Sequence, residues 1–261
     1  MYQQPTAPAS IGGVLDNGFQ LFRACFTSVF GLAFLSGLVN QLTTFALMND
    51  TNPDTGLPEF GATLIAAYVV TVFFSMWLYG AIVARIHAIF TGKPMAVGES
   101  LSFGLTRSLP LLFCFMAYFL ALTGGTLLLI VPGVILGVSL LFAPYAVVVE
   151  KTGAIESLKA SHKLVWGHWW RTAALVGIAT FILMVAYILV GFVAGIVIVL
   201  DPESITSIGF SVVDTIVTPL LTGLITPLFY SLTMSAYYDL KLRRSGDDLA
   251  ARIDSTSVAA R

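Results

Sequence analysis

The stretch ESLKASHKLVWGHWWRTAAL, residues 156–175, gathers the side chains best equipped for chemistry in an otherwise greasy chain. Glu156, Lys159, His162, Lys163, His168 and Arg171 fall within sixteen positions, beside Trp166, Trp169 and Trp170. Imidazoles near a carboxylate could hold a metal or move a proton, but the spacing argues against both. His162 and His168 are six apart, which on a helix points them about 120° from each other. A chelating helical pair wants a spacing of three or four, and no cysteine or carboxylate stands at ligand spacing nearby. On a helix, Ala154, Ile155, Leu158, His162, Val165 and Trp169 would instead share one face, with Glu156, Lys159 and Lys163 opposite. That pattern suits a helix lying in the headgroup layer, lysines toward anionic lipid and tryptophans at the boundary. Lys159, Lys163, Trp166, Trp169, Trp170 and Arg171 are accordingly read as membrane-interface anchors.

A second group of residues could act inside the membrane. Asp214, in FSVVDTIVTPLLTGLITPLF, is the one carboxylate well inside an apolar run. A charged Asp at a helix centre costs about 2.5–3.5 kcal/mol on insertion scales, so such residues tend to face a bundle interior. Water near the helix end, or a neutral hydrogen-bonded Asp214, would lower that cost. The same run holds Thr218-Pro219 and Thr226-Pro227. Proline removes a backbone donor and frees carbonyls that need partners, and broken helices near the midplane are where transporters hold their cargo. Proline is also ordinary in membrane helices. Pro132, Pro144, Pro219 and Pro227 are the expected helix breaks. Asn40 and Gln41 complete the candidate intramembrane polar site, as interhelical hydrogen-bond partners each contributing under about 1 kcal/mol.

The elements that must position these residues follow from composition. The 261-residue chain is 57% hydrophobic and only 10% charged. A soluble domain carries about 25% charged residues, so most of this surface must face lipid. A net charge of −1 argues against a nucleic-acid partner. Cys25 and Cys114 sit in or beside apolar runs, too far apart in sequence to suggest chelation, and fit small buried hydrophobes. The opening MYQQPTAPASIGG lacks the basic and apolar regions of a secretory signal. A crossing helix needs roughly 20 apolar residues. Runs of that kind lie at about 26–48, 60–85, 172–200 and 208–238, and the stretch 109–149 is long enough for two joined near Val131-Pro132-Gly133. Six spans are expected.

Charge placement orients them. All thirteen Lys and Arg fall in four places: Arg23; Arg85, Lys93 and Arg107; Lys151, Lys159, Lys163 and Arg171; Lys241, Arg243, Arg244, Arg252 and Arg261. Six spans put those places on one side, while the loops bearing Asp50, Asp54 and Glu59, and Asp201 and Glu203, carry no basic residue. The positive-inside rule then places both termini in the cytoplasm. Residues 1–9 read as a flexible tail, 10–240 as one six-helix transmembrane domain, and 241–261 as a polar cytoplasmic tail.

Three segments, starting at Ile11, Val97 and Ala154, have a similar mixed character and each leads into a pair of spans. The expected fold is all-α and integral to the membrane: six transmembrane helices with short amphipathic interfacial helices, arranged as a threefold repeat. Gly133-xxx-Gly137 and Gly191-xxx-Gly195 would let backbones approach closely, within the chain or in a homo-oligomer.

SIGGVLDNGFQLFRACF, LLLIVPGVILGVSLLFAPYAVVVEKTGAIESLKASHKLVWGHWW and AYYDLKLRRSGDDL together resemble a bacterial membrane-protein group. It includes the membrane domain found beside glycerophosphoryl diester phosphodiesterases and the YciC-like inner-membrane proteins. The resemblance spans nearly the whole chain and implies a helical bundle in the bacterial inner membrane. Nothing in this chain corresponds to the phosphodiesterase's soluble barrel, so its catalysis is not carried over. No nucleophile elbow, phosphate loop or metal-ligand cluster is present in the sequence, and no catalytic residue, metal or cofactor is expected. The expected role is a scaffold or accessory module in envelope or lipid homeostasis. Its partners would be anionic headgroups, with a second copy or another protein compatible with the glycine motifs. A transporter or channel using Asp214 and the broken sixth helix is the alternative.

Overall fold

The computed structural model of the chain describes residues 2–49, 61–200 and 216–259. Eight helices carry the described regular structure: α1 (Ile11–Asn49), α2 (Ala62–Phe90), α3 (Val97–Leu128), α4 (Ile130–Leu140), α5 (Ala143–Val149), α6 (Ala154–Val165), α7 (Trp169–Leu200) and α8 (Thr218–Ala259). No strand occurs among the described residues. Among the described residues six stretches are long and apolar enough to cross a membrane: α1, α2, α3, α4 with α5, the first part of α7, and most of α8. Lipid offers the backbone no hydrogen bonds, so runs of this composition close them internally as helices.

The boundary between α3 and α4 falls at Leu129, whose extended backbone (φ −166°, ψ 148°) interrupts the helix, three positions before the proline expected to mark it. Pro132 lies in the first turn of α4. There its missing N–H would be an orphan donor in any case, so proline starts this helix rather than ending its predecessor. Pro144 occupies the same kind of position in α5, and Pro219 is the second residue of α8. Pro227 sits inside α8, which runs on through it.

Only the third of the three expected interfacial helices is a separate element. The segments beginning at Ile11 and Val97 are the opening turns of the long helices α1 and α3. Nothing in either sequence stops the helix before the apolar run begins. After α6, by contrast, Gly167 adopts φ +97°, a left-handed conformation that glycine takes without a Cβ clash, and the chain turns into α7.

α6 is amphipathic, and its apolar face is only partly the one that packs: of the residues expected there, Val165 is buried and Ala154, Leu158 and Trp169 pack against the core. Ser157, Ser161, Leu164 and Val165 are buried, whereas Ile155 is 59% exposed and His162 is exposed. The reason lies in the neighbouring break. Phe142 N–H donates to Ser161 Oγ at 3.1 Å, and that hydroxyl donates to the Ser139 carbonyl at 2.8 Å. The orphan groups between α4 and α5 are thus satisfied by one serine.

Helix contacts are made through small residues. α1 and α8 run antiparallel: Ser235 donates to the Val14 carbonyl at 2.8 Å, and a Cβ on Gly37 would come within 2.7 Å of the Pro219 backbone. α2 and α3 meet where a Cβ on Gly104 would lie 2.5 Å from the Trp77 carbonyl. α3 and α4 form a hairpin closed by Gly125 against Gly133 and by a Tyr118 hydroxyl bond to the Gly137 carbonyl at 3.1 Å. Its tip, Leu127 to Val131, is apolar throughout and 67–83% exposed.

Candidate functional site

Two places in the bundle concentrate polar groups: a charged end and a cavity within the apolar region. At the charged end, Asp239 is 5% exposed and accepts from Arg171 Nη2 and Arg243 Nε, each at 3.0 Å. Its other oxygen accepts from Ala9 N–H at 2.8 Å, and both arginines donate to the Ala9 carbonyl at 2.6 Å. One peptide unit and one carboxylate are therefore clamped between two guanidiniums, each of which presents donors in a planar fork. This node ties the segment before α1 to α7 and α8. Further out, Tyr2 packs on Phe90 with ring centres 5.5 Å apart, and burial pushes its phenol up to about 12.

A second node lies beside it. Glu150 Oε1 accepts from the Tyr237 hydroxyl at 2.5 Å and from Lys241 Nζ at 2.9 Å. Partial burial raises the Glu150 carboxyl, but the Tyr237 and Lys241 hydrogen bonds and the lysine charge outweigh it, leaving it below its ordinary value. Arg244 donates to the Lys163 carbonyl at 2.5 Å, joining α8 to the end of α6. Lys163, Lys241, Arg244, Ser161, Ser245 and Glu150 help line a pocket of about 240 Å³. The pocket thus holds three cations and one carboxylate, with Lys241 paired to that carboxylate. Arg107 likewise reaches the Lys151 carbonyl at 3.2 Å, so basic residues from separate parts of the sequence meet at one end.

The expected interface anchors divide. Lys159 and Lys163 are exposed, as are Trp166 (61%) and Trp170 (81%). Trp166 stands 5.0 Å from the His162 ring, and Trp169 donates its indole N–H to the Ile135 carbonyl at 3.3 Å. Arg171 is committed to Asp239 and Ala9.

The cavity, about 390 Å³, lies among α1, α2, α3, α5 and α8. Its wall includes Ser36 and Asn40 of α1, Ser75 and Tyr79 of α2, Pro144 and Tyr145 of α5, and Thr226, Tyr230 and Thr233 of α8. Asn40 Nδ2 donates to the Ser36 carbonyl at 2.8 Å, and Tyr145 is hydrogen-bonded to Thr233. The Tyr79 ring meets Tyr230 at 5.1 Å and Phe115 at 5.3 Å. Of the candidate intramembrane residues, Asn40 belongs to this wall, Gln41 is half-buried beside it in sequence, and Asp214 falls outside the described residues.

Asp239 and Glu150 were not singled out from sequence, because a carboxylate at the end of an apolar run is ordinary. The usable signal was Asp239 four positions before Arg243 in AYYDLKLRR, the i,i+4 spacing that lets the pair meet on a helix. The cavity left a weaker trace, since its hydroxyls come one or two at a time from different helices.

A bundle of long apolar helices with its described ion pairs collected at one end is a multi-pass membrane protein. The chain belongs to the family described as a domain of unknown function, DUF7847, whose profile matches residues 23–240. It is also 39% identical over 83 residues to a UPF0259 membrane protein of Pectobacterium carotovorum subsp. carotovorum, a match covering 32% of this chain and 32% of that protein. The matched part thus spans about a third of that relative's length. No solved structure matches the chain. The family's description assigns it no activity, and the relative's name says only that it is a membrane protein.

Proposed function

We propose that this protein is an accessory module of the bacterial inner membrane, without enzymatic activity of its own, that gathers anionic phospholipid headgroups at its cytoplasmic face. The observation that carries the reading is the pocket where Lys163, Lys241 and Arg244 converge around Glu150. Basic pockets between membrane helices on the cytoplasmic side are a recognised way to hold phosphate headgroups, and exposed Lys159, Trp166 and Trp170 supply the surrounding boundary chemistry. The confinement of basic residues to one set of loops supports cytoplasmic termini. The resemblance to the membrane domain beside glycerophosphoryl diester phosphodiesterases supports a role alongside lipid metabolism.

The test uses the purified full chain in detergent, with dioctanoyl phosphatidylglycerol and dioctanoyl phosphatidylcholine added separately. The anionic lipid raises the midpoint of thermal unfolding and the zwitterionic one does not. Lys163→Glu combined with Arg244→Gln removes the difference. Equal stabilisation by both lipids, or a response untouched by the two substitutions, defeats the proposal.

A transporter is the second reading, favoured by the cavity of about 390 Å³ within the apolar region. It requires that solute pass from one side to the other, which flux into proteoliposomes measures directly.

A further inference from the structure

The charged wall of the cationic pocket comes from three places: Glu150 at the end of α5, Lys163 on α6, and Lys241 and Arg244 on α8. Lys241 is committed to Glu150 at 2.9 Å and lies over the rings of Tyr237 and Tyr238, 5.4 and 5.9 Å from their centres. Lys163 and Arg244 form no ion pair with any described group. Arg244 gives one nitrogen to the Lys163 carbonyl, the one hydrogen bond described between α6 and α8. The rest of its guanidinium and the Lys163 ammonium are open to the pocket, Lys163 being exposed and Arg244 half-buried. The neutral donors of the wall are already in use: Ser161 donates to the Ser139 carbonyl, Ser245 to the Lys241 carbonyl, and Tyr237 to Glu150. Every side-chain donor left for a ligand there is therefore cationic.

Charge and size narrow the choice of anion. With Lys241 and Glu150 cancelling, two positive charges from different helices remain unmatched. A phosphodiester headgroup brings one negative charge over two free oxygens. A terminal phosphate brings about −1.5 to −2 at pH 7 and three acceptor oxygens. The arginine fork can take two of those oxygens and the lysine, a compact point charge, the third. At about 240 Å³ the pocket is smaller than the roughly 300–1,000 Å³ of ordinary ligand sites. That suits a bare phosphate better than one carrying a further glycerol or sugar.

We infer that this pocket selects a phosphate monoester, the headgroup chemistry of a phosphatidate, over the diester headgroups of other anionic phospholipids. The inference rests on the pocket's role as a headgroup site, proposed above, and names which headgroup it takes. The phosphate is shared by Lys163 and Arg244, so it adds a bridge between α6 and α8 beside their one described hydrogen bond. Lys241 stays on Glu150 and turns its remaining protons to the same anion.

The experiment measures the affinity of dioctanoyl phosphatidate, dioctanoyl phosphatidylglycerol and glycerol 3-phosphate for the purified full chain in an uncharged detergent at neutral pH, by native mass spectrometry. Phosphatidate binds saturably and about ten-fold more tightly than phosphatidylglycerol, the effect of one further charge-assisted contact. Lys163→Met, which removes no described side-chain hydrogen bond, lowers that ratio to about three-fold or less, and Lys163→Arg keeps it. Arg244→Gln acts as Lys163→Met does. If thermal unfolding shows that Arg244→Gln does not fold, the two Lys163 variants decide alone. Lys159→Met, one turn away on α6 and outside the pocket wall, leaves the ratio unchanged. Equal affinity for the two lipids, both lost with Lys163→Met, overturns the inference and leaves the headgroup role standing. A ratio untouched by Lys163→Met, or lowered as much by Lys159→Met, also overturns it. Failure of either lipid to bind at all removes the inference and the headgroup role together. Glycerol 3-phosphate binding as tightly as phosphatidate, with the same dependence on Lys163, supports the monoester and moves its source to the aqueous phase, defeating the headgroup role alone.

Discussion

Arg171 and Asp239 lie 68 positions apart in sequence and pair at 3.0 Å, with Arg243 completing the clamp on the same carboxylate oxygen. The pair links the start of α7 to α8, while the Ala9 peptide fastens the N-terminal segment to both. Removing the carboxylate leaves two half-buried guanidiniums facing each other. Asp239→Asn is expected to destabilise the protein by about 2–3 kcal/mol, less than the roughly 3–5 kcal/mol of a fully buried pair because both arginines keep some exposure. Equilibrium unfolding in mixed detergent reads the change, and a loss under about 0.5 kcal/mol, the level of an exposed pair, contradicts it.

The Glu150 node sets a pH dependence. Its carboxyl titrates below the ordinary value near 4.5 in the folded protein. A carboxyl depressed by folding contributes stability that is fully present above its unfolded pKa and disappears as pH falls through the folded one. Wild type therefore loses thermal stability on acidification from pH 5 to pH 3 more steeply than Glu150→Gln, which has no such proton to take up. Parallel melting curves for the two proteins across that range count against the assignment.

Ser161 should matter more than its neighbours on α6. Ser161→Ala leaves the Phe142 amide and the Ser139 carbonyl without their partner at the junction of α4 and α5. A loss of about 1–3 kcal/mol follows from uncovering buried backbone groups. Lys159→Ala, on the exposed side of the same helix, is expected to change stability by less than about 0.5 kcal/mol. Unfolding of the two variants under one condition makes the comparison.

The crossing of α2 and α3 leaves no room for a methyl group. Gly104→Ala would set a Cβ 2.5 Å from the Trp77 carbonyl and 2.7 Å from the Ala81 amide nitrogen. Both are backbone atoms, so helices rather than side chains must part, at about 1–3 kcal/mol. Gly98→Ala, with open space around its Cβ position, is the matched control and is expected to be neutral or slightly stabilising in thermal unfolding.

The helical class and the six long apolar stretches were legible in sequence, because runs such as those of α2 and α7 have no turn formers to interrupt them. The face of α6 was not. Helical spacing grouped Ile155 and His162 with Val165 on one apolar face, but gave no sign that the bundle would meet the side bearing Ser157 and Ser161. In lipid an exposed Ile155 carries no penalty, while Ser157 and Ser161 allow close approach and supply hydrogen bonds that hydrocarbon does not. Asn40 could be picked out as a polar residue in an apolar run. Tyr79 and Tyr230 could not, since a tyrosine amid apolar residues reads equally well as core, and only the packing of α2 on α8 brings the two rings together.

The α3–α4 hairpin has a consequence for orientation. Its arms are joined by Leu129 at an end bearing no polar side chain from Leu127 to Val131, and both arms lead back toward Arg107 and Glu150, which flank α6. A fold-back of this kind returns the chain to the leaflet it left. The sidedness of α7, α8 and the carboxyl terminus is therefore inherited unchanged across it, whatever depth the leucine-rich bend reaches.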